Sequence, residues 1–116
     1  MSDLHVDGMG VSAGVVETIV AIATQEVDGV ASVGSAKVSG LRGMISNKVS
    51  GNTGIDVHIG ENDHLTIAVH IVALYGAVLP ELAESVRAAI SDAVTTQVGA
   101  HIDSIDVYVE GLKRDR

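Results

Sequence analysis

The side chains best suited to chemistry in this chain are its histidines, which are His5, His58, His64, His70 and His101. In the alternating segments that carry them, His58 and His70 fall opposite the Val and Ile positions. A zinc or iron site there would need two or three histidines to meet Asp56 or Asp106. Because the sequence has no His-x-His or His-Glu-x-x-His spacing, we expect solvent-facing histidines on a half-buried sheet and no metal site.

Support for other kinds of catalytic site is equally weak. The chain has no cysteine, which excludes thiol nucleophiles, disulfides and the usual ligands of structural zinc. Glu81 and Glu84 form a pair of carboxylates, but they stand at a predicted helix start, where the helix dipole favours acids. The run from Gly8 to Ser12 lacks the lysine of a phosphate-binding loop and predicts a tight turn before a helix. We therefore expect no catalytic residue, no cofactor and no enzymatic activity.

A basic segment in the middle of the chain is the strongest lead. Between Gly29 and Ile55 the sequence has three bases and no acid, whereas the rest of the chain has four bases and fifteen acids. Residues 34–53 are rich in Gly and Ser and predict a mobile loop. Apolar residues recur there at helical spacing from Leu41 to Val49, which predicts a short amphipathic helical turn. The possible interaction surface consists of Lys37, Leu41, Arg42, Met44, Ile45 and Lys48.

The surface that this basic segment would contact is acidic. The protein itself supplies four carboxylates for it, which are Asp56, Asp103, Asp106 and Glu110. Contact between them and the basic segment of another copy would be head to tail, and it would build rings or filaments. Two alternatives remain open: a plain solvated loop, or contact with anionic lipid, in which each charge contributes only about 1 kcal/mol.

Composition bounds the class of protein. A length of 116 residues fits a single domain over residues 1–116. The net charge of −8 and the presence of only two aromatic residues, Tyr75 and Tyr108, argue against nucleic acid as a partner. The chain shows no signal peptide and no apolar run near the roughly 18 residues that span a bilayer. We therefore expect a cytoplasmic protein without direct membrane insertion.

Hydrophobic periodicity predicts the elements that position these side chains. They are a short strand at Leu4–Val6, a helix over about 13–26 with Ser12 as N-cap, a short strand at Val30–Val33, a hairpin over 55–59 and 65–71, a helix from Pro80 to about 97, and a strand over about 102–110. The order β-α-(β)-β-β-α-β predicts an α+β fold. We expect two layers, with two main helices packed on one face of a mostly antiparallel sheet.

Six short motifs occur along the chain in a specific order and spacing. They are Val11-Ser12-x-x-Val15-Val16, Glu26-Val27-Asp28-Gly29-Val30, Gly54-Ile55-Asp56-Val57, Val72-Ala73-Leu74-Tyr75-Gly76, Leu79-Pro80-Glu81-Leu82-Ala83 and Ile105-Asp106-Val107-Tyr108-Val109-Glu110-Gly111. With them, the sequence from about Leu4 to Leu112 resembles the alkaline shock protein / general stress protein family of Gram-positive bacteria. Members of this family are also called envelope stress response proteins.

The resemblance implies a small protein that is linked to cell-envelope stress and has no catalytic residues. It also implies self-association and docking to a membrane-anchored partner, which would place the protein at the inner face of the cell membrane. The leading interpretation is therefore a non-enzymatic structural or interaction protein that forms homo-oligomers. The alternative is a small regulatory or ligand-binding module linked to lipid synthesis, with a pocket between the helices and the sheet.

Overall fold

The computed structural model describes residues 3–6, 8–34 and 54–114. These residues form β1 (Asp3–Val6), β2 (Met9–Ser12), α1 (Ala13–Gln25), β3 (Val30–Val33), β4 (Ile55–Ile59), β5 (His64–Leu74), α2 (Leu79–Gln97) and β6 (His101–Lys113). The predicted basic loop at 34–53 lies outside the described residues except for Gly34, and so does every residue of its possible interaction surface.

Strand β5 is the centre of the main sheet, and both of its edges are paired. On one edge, antiparallel β4 pairs with residues 65–69, and antiparallel β3 pairs farther along with residues 71–73. On the other edge, β6 runs parallel to β5 along its whole length, over residues 64–74. Parallel neighbours need a crossover connection, and α2 provides it between β5 and β6.

Strands β3 and β4 meet end to end at one point on the edge of β5. The backbone N–H of Gly34 donates to the carbonyl of His70 at 2.7 Å, and the N–H of His70 donates to the carbonyl of Gly54 at 2.8 Å. Both glycines have a positive φ, 106° for Gly34 and 92° for Gly54. The chain therefore leaves the sheet and returns to it at the same place.

The hydrophobic core lies between the two helices and one face of the sheet. Period-two alternation in β5 directs Leu65, Ile67, Val69 and Ile71 to that face, and all four are fully buried. Helical spacing directs a matching stripe toward them, made of Val16, Val20 and Ala23 on α1 and Leu82, Val86, Ile90 and Val94 on α2. The predicted α+β fold, with its helices on one face of the sheet, is confirmed.

The N-terminal region differs from the prediction. Residues Met9–Ser12 form a strand that pairs with β1, so the prediction of a turn there is right only around Gly8, whose φ is 80°. Leu4 and Val11 are opposite each other in this hairpin, and both are buried against the core. Burial of this pair explains why the segment is extended. Ser12 is the N-cap residue of α1, as expected, but its side chain makes no capping hydrogen bond.

Candidate functional site

The face of the sheet opposite the helices carries four of the five histidines, together with four carboxylates. We call this surface the open face. Its residues are Asp56 and His58 on β4, His64, Thr66, Ala68 and His70 on β5, and His101, Asp103, Asp106, Tyr108 and Glu110 on β6. Except for Asp103, which lies at an irregularity in the pairing of β6, they lie there because they alternate with the apolar residues that pack against the helices. Among the described elements, both helices contact the opposite face.

The four carboxylates of the predicted acidic surface all lie on the open face. Strand register places Asp56 opposite Ala68, and Ala68 opposite Asp106, so these three form one row across the sheet. Two strand spacings separate the two carboxylate-bearing residues, which corresponds to about 10 Å. The small side chain of Ala68 lies between them, and the row therefore forms a shallow trough with an acid on each side.

His70 links two of these acids at the centre of the face. Its Nδ1 atom lies 2.5 Å from Glu110 Oε2, and its Nε2 atom lies 3.8 Å from Asp56 Oδ2. The ring of Tyr108 stacks on the His70 ring with a centroid distance of 4.9 Å and an interplanar angle of 18°. His70 is thus held by neighbours on both adjacent strands, β4 and β6.

A second histidine cluster lies at the end of the sheet where β5 and β6 begin. His64 and His101 are opposite each other in the parallel register, and their ring centroids are 4.2 Å apart. Asp103 Oδ1 lies 3.2 Å from His64 Nδ1 and 3.4 Å from His101 Nε2. We call these three residues the sheet-end cluster. Sequence spacing gave no sign of it beyond the His-x-Asp of residues 101–103, because His64 is far away in the chain.

A sequence pattern for a nucleophilic serine also occurs, since Gly10-Val11-Ser12-Ala13-Gly14 fits Gly-x-Ser-x-Gly. In hydrolases this pattern forms a strained elbow between a strand and a helix. Here Ser12 does stand between β2 and α1, but its φ of −75° and ψ of 156° are ordinary extended values. The geometry therefore gives this serine the position of a helix N-cap and none of the strain of an elbow.

In the described part of the chain, buried side chains of both helices and of the sheet pack together in one core. A groove of about 170 Å³ lies on the outer side, between α1 and α2, and is lined by Ile19, Ile22, Ala23, Glu26, Ala93 and Gln97. A wider and shallower depression of about 320 Å³ lies near the start of α2, beside Gly29 and Leu82. Neither is the pocket between helices and sheet that the ligand-binding alternative requires.

Comparison with known proteins gives a family and two relatives. The model of the alkaline shock protein 23 family, described as having a cell envelope-related function, matches residues 4–114. The chain is similar to the uncharacterized protein YqhY of Bacillus subtilis (strain 168), with 29% identity over 113 residues, or 97% of this chain and 82% of that protein. It is also similar to the uncharacterized protein YloU of the same strain, with 28% identity over 53 residues, or 46% of this chain and 44% of that protein.

No solved structure matches the chain significantly. Within the described residues, neither helix has the length and apolar character needed to cross a membrane. The family match extends over nearly all of the fold, and it confirms the resemblance to alkaline shock proteins. The protein therefore belongs to the alkaline shock protein family, whose function is related to the cell envelope.

Proposed function

We propose that this protein is a non-enzymatic interaction protein of the cell-envelope stress response that assembles head to tail. In this assembly the open face of one copy binds the basic segment 29–55 of the next copy. The observation that carries the proposal is the presence of four carboxylates on a sheet face that the two helices leave uncovered. The cell-envelope function of the family supports the biological setting.

The open face has the chemistry to bind a cation. The side chain of Asp56 is 81% exposed, and Asp106 across the row is also exposed. A Lys or Arg side chain placed over Ala68 would lie about 5 Å from each of these two strands. Two carboxylates flanking one cation give stronger and more specific attraction than a single surface ion pair, which contributes only about 0–1 kcal/mol.

The basic segment has the complementary charge. It carries Lys37, Arg42 and Lys48 without any acid, in a chain whose net charge is −8. Its apolar positions between Leu41 and Val49 would add a hydrophobic anchor to the ionic contact. The acids and the bases belong to different segments of the sequence. In the proposed assembly each copy therefore gives its acids to one neighbour and its bases to the other, and the contact repeats from copy to copy.

Docking to a membrane-anchored partner follows from the same contact. The terminal copy of a head-to-tail assembly keeps one open face without a basic segment bound to it. A membrane-anchored protein with a basic segment of its own would bind this face, and would hold the assembly at the inner side of the cell membrane. The partner is thus defined by its chemistry, as a cationic segment close to the membrane.

Light scattering after size exclusion, over a range of protein and salt concentrations, tests the assembly. We expect large species at low salt that dissociate at high salt, since the Debye length falls from about 10 Å at 0.1 M to about 3 Å at 1 M. A monomer or closed dimer whose mass does not change with salt concentration would overturn the proposal. That result would favour the ligand-binding alternative, which predicts stabilisation by a small molecule.

Two charge-reversal variants show which surfaces meet. Arg42→Glu with Lys48→Glu makes the segment repel the open face, and Asp56→Lys with Asp106→Lys makes the open face repel the segment. Each variant alone should remain small, whereas a mixture of the two should assemble, because each then offers the surface that the other lacks.

A matched control is provided by one acid at the C-cap of α1 and one acid on α2. Glu26→Lys with Asp92→Lys changes the net charge as much as the open-face variant does, at two positions away from the open face. This control should assemble like the unmodified protein. If the mixture of reversed variants stays small, or if the helix control also fails to assemble, the open face and the basic segment are not in contact between copies.

A further inference from the structure

We infer that the sheet-end cluster of His64, His101 and Asp103 is a binding site for a divalent cation of the zinc class. The three residues come from two neighbouring strands and each offers one ligand atom. All three ligand atoms lie within 4.8 Å of one another. The cluster shares Asp103 with the acids of the open face, whereas the row of Asp56 and Asp106 lies outside it.

The local backbone explains why the three side chains converge. Parallel pairing places His64 directly beside His101, and the pairing then shifts by one residue, so that Thr66 is opposite Ser104. Asp103 is the extra residue of this bulge. Bulges re-aim side chains at the ends of sheets, and here the carboxylate of Asp103 lies against both rings.

The distances agree with those around a tetrahedral metal ion. Ligand bonds to zinc of about 2.0–2.2 Å place neighbouring ligand atoms about 3.3–3.6 Å apart in a tetrahedron. Asp103 Oδ1 lies 3.2 Å from His64 Nδ1 and 3.4 Å from His101 Nε2. Two of the three distances between ligand atoms therefore already fit a tetrahedral site. Small rotations of the two exposed imidazole rings would adjust the third distance, which joins His64 Nδ1 and His101 Nε2.

The ligand types select the class of ion. Two imidazole nitrogens and one carboxylate oxygen suit zinc, cobalt and nickel better than calcium or magnesium, which prefer oxygen ligands alone. Three protein ligands leave at least one coordination position open to water. The side chains of His64, Asp103 and His101 are 40%, 54% and 65% exposed, so an ion would reach the site without any rearrangement of the core.

Other histidines on the open face make good controls. His58 is exposed, on β4 at the far side of β5 from His101, and it lies outside the sheet-end cluster. His70 is held by Glu110 and Asp56, with the longer of its two contacts at 3.8 Å. His58→Gln and His70→Gln each remove one imidazole from the same face and leave the cluster intact.

The experiment is a titration of the full, untagged chain with Zn²⁺ by calorimetry, together with Co²⁺ titration followed by visible absorption. We expect one ion per chain and a Co²⁺ spectrum with the intensity of a tetrahedral site. His101→Gln and Asp103→Asn should each weaken binding by at least about tenfold, the loss typical of removing even an outer partner of a metal ligand. His58→Gln and His70→Gln should bind like the unmodified protein.

Three results would overturn this inference. They are the absence of saturable binding, a metal affinity that is unchanged in His101→Gln and Asp103→Asn, and an equal loss of affinity in the His58→Gln control. Far-UV circular dichroism of each variant shows that it is folded, which the exposure of the substituted side chains favours. Because binding is measured on dilute monomer as well as on assembled protein, failure of the metal site and failure of the proposed assembly give different results.

Discussion

The junction of β3 and β4 on the edge of β5 gives the sharpest test of the fold. A Cβ atom added to Gly54 would lie 2.5 Å from Gly34 Cα, 2.8 Å from Gly34 N and 3.3 Å from the His70 carbonyl oxygen. The contacted atoms belong to backbone that is hydrogen-bonded to β5, so they cannot move away cheaply. Gly54→Ala should therefore force the two strands apart.

The magnitude follows from two contributions. A side chain at positive φ costs roughly 1–2 kcal/mol, and overpacking against fixed neighbours costs about 1–3 kcal/mol more. Gly76 is a matched control, because its φ of 102° resembles the 92° of Gly54 but an added Cβ would meet nothing within 4 Å. Gly76→Ala should have only the cost of a side chain at positive φ, without the cost of overpacking. The gain from a less flexible unfolded chain, about 0.4–1 kcal/mol, is common to both variants and cancels.

Urea denaturation followed by far-UV circular dichroism measures this difference in the free energy of unfolding. Gly54→Ala should be less stable than Gly76→Ala by about 1–3 kcal/mol. Equal stability of the two variants would refute the end-to-end arrangement of β3 and β4, because the close approach of Gly34 and Gly54 is the only difference between their expected costs.

Two further substitutions test the core. Ile67→Ala removes a fully buried side chain of β5 and should lower the free energy of unfolding by about 2–5 kcal/mol in the same assay. Ile22→Ala is the control, because the Ile22 side chain is 55% exposed. A loss of stability in Ile67→Ala no larger than that in Ile22→Ala would contradict the expectation. Thr24→Val should change stability by less than about 1 kcal/mol, because the Thr24 hydroxyl donates to the Val20 carbonyl within α1, at 2.7 Å, and that carbonyl keeps its helical partner. A loss above about 2 kcal/mol would mean that this hydroxyl has a role beyond α1.

Local patterns in the sequence predicted the main elements well. Alternation marked the apolar face of β5 and the charged face of β6, and Pro80 marked the start of α2. Strand β2 was missed because Met9 and Gly10 have no clear alternation. What makes it a strand is pairing with β1 and burial of Val11, and both depend on tertiary structure.

The candidate site was predicted in part. Periodicity reveals that Asp106 and Glu110 share one face of β6 and that Asp56 lies on the matching face of β4, whereas Asp103 joins them only through the bulge in β6. The sheet-end cluster could not be predicted in this way. It depends on the parallel register that brings His64 to His101 and on a bulge that re-aims Asp103, and neither is encoded in any local spacing.

The two proposals for the open face interact through charge. A divalent cation at the sheet-end cluster would add two positive charges beside Asp103, one of the four acids that attract the basic segment. Only a few residues along β6 separate Asp103 from Asp106, which is about 10 Å at the rise of a strand and within roughly one Debye length at 0.1 M salt. Bound zinc should therefore oppose assembly. Light scattering with a chelator and with added Zn²⁺ links the two sites, and Asp103→Asn should make assembly insensitive to the metal.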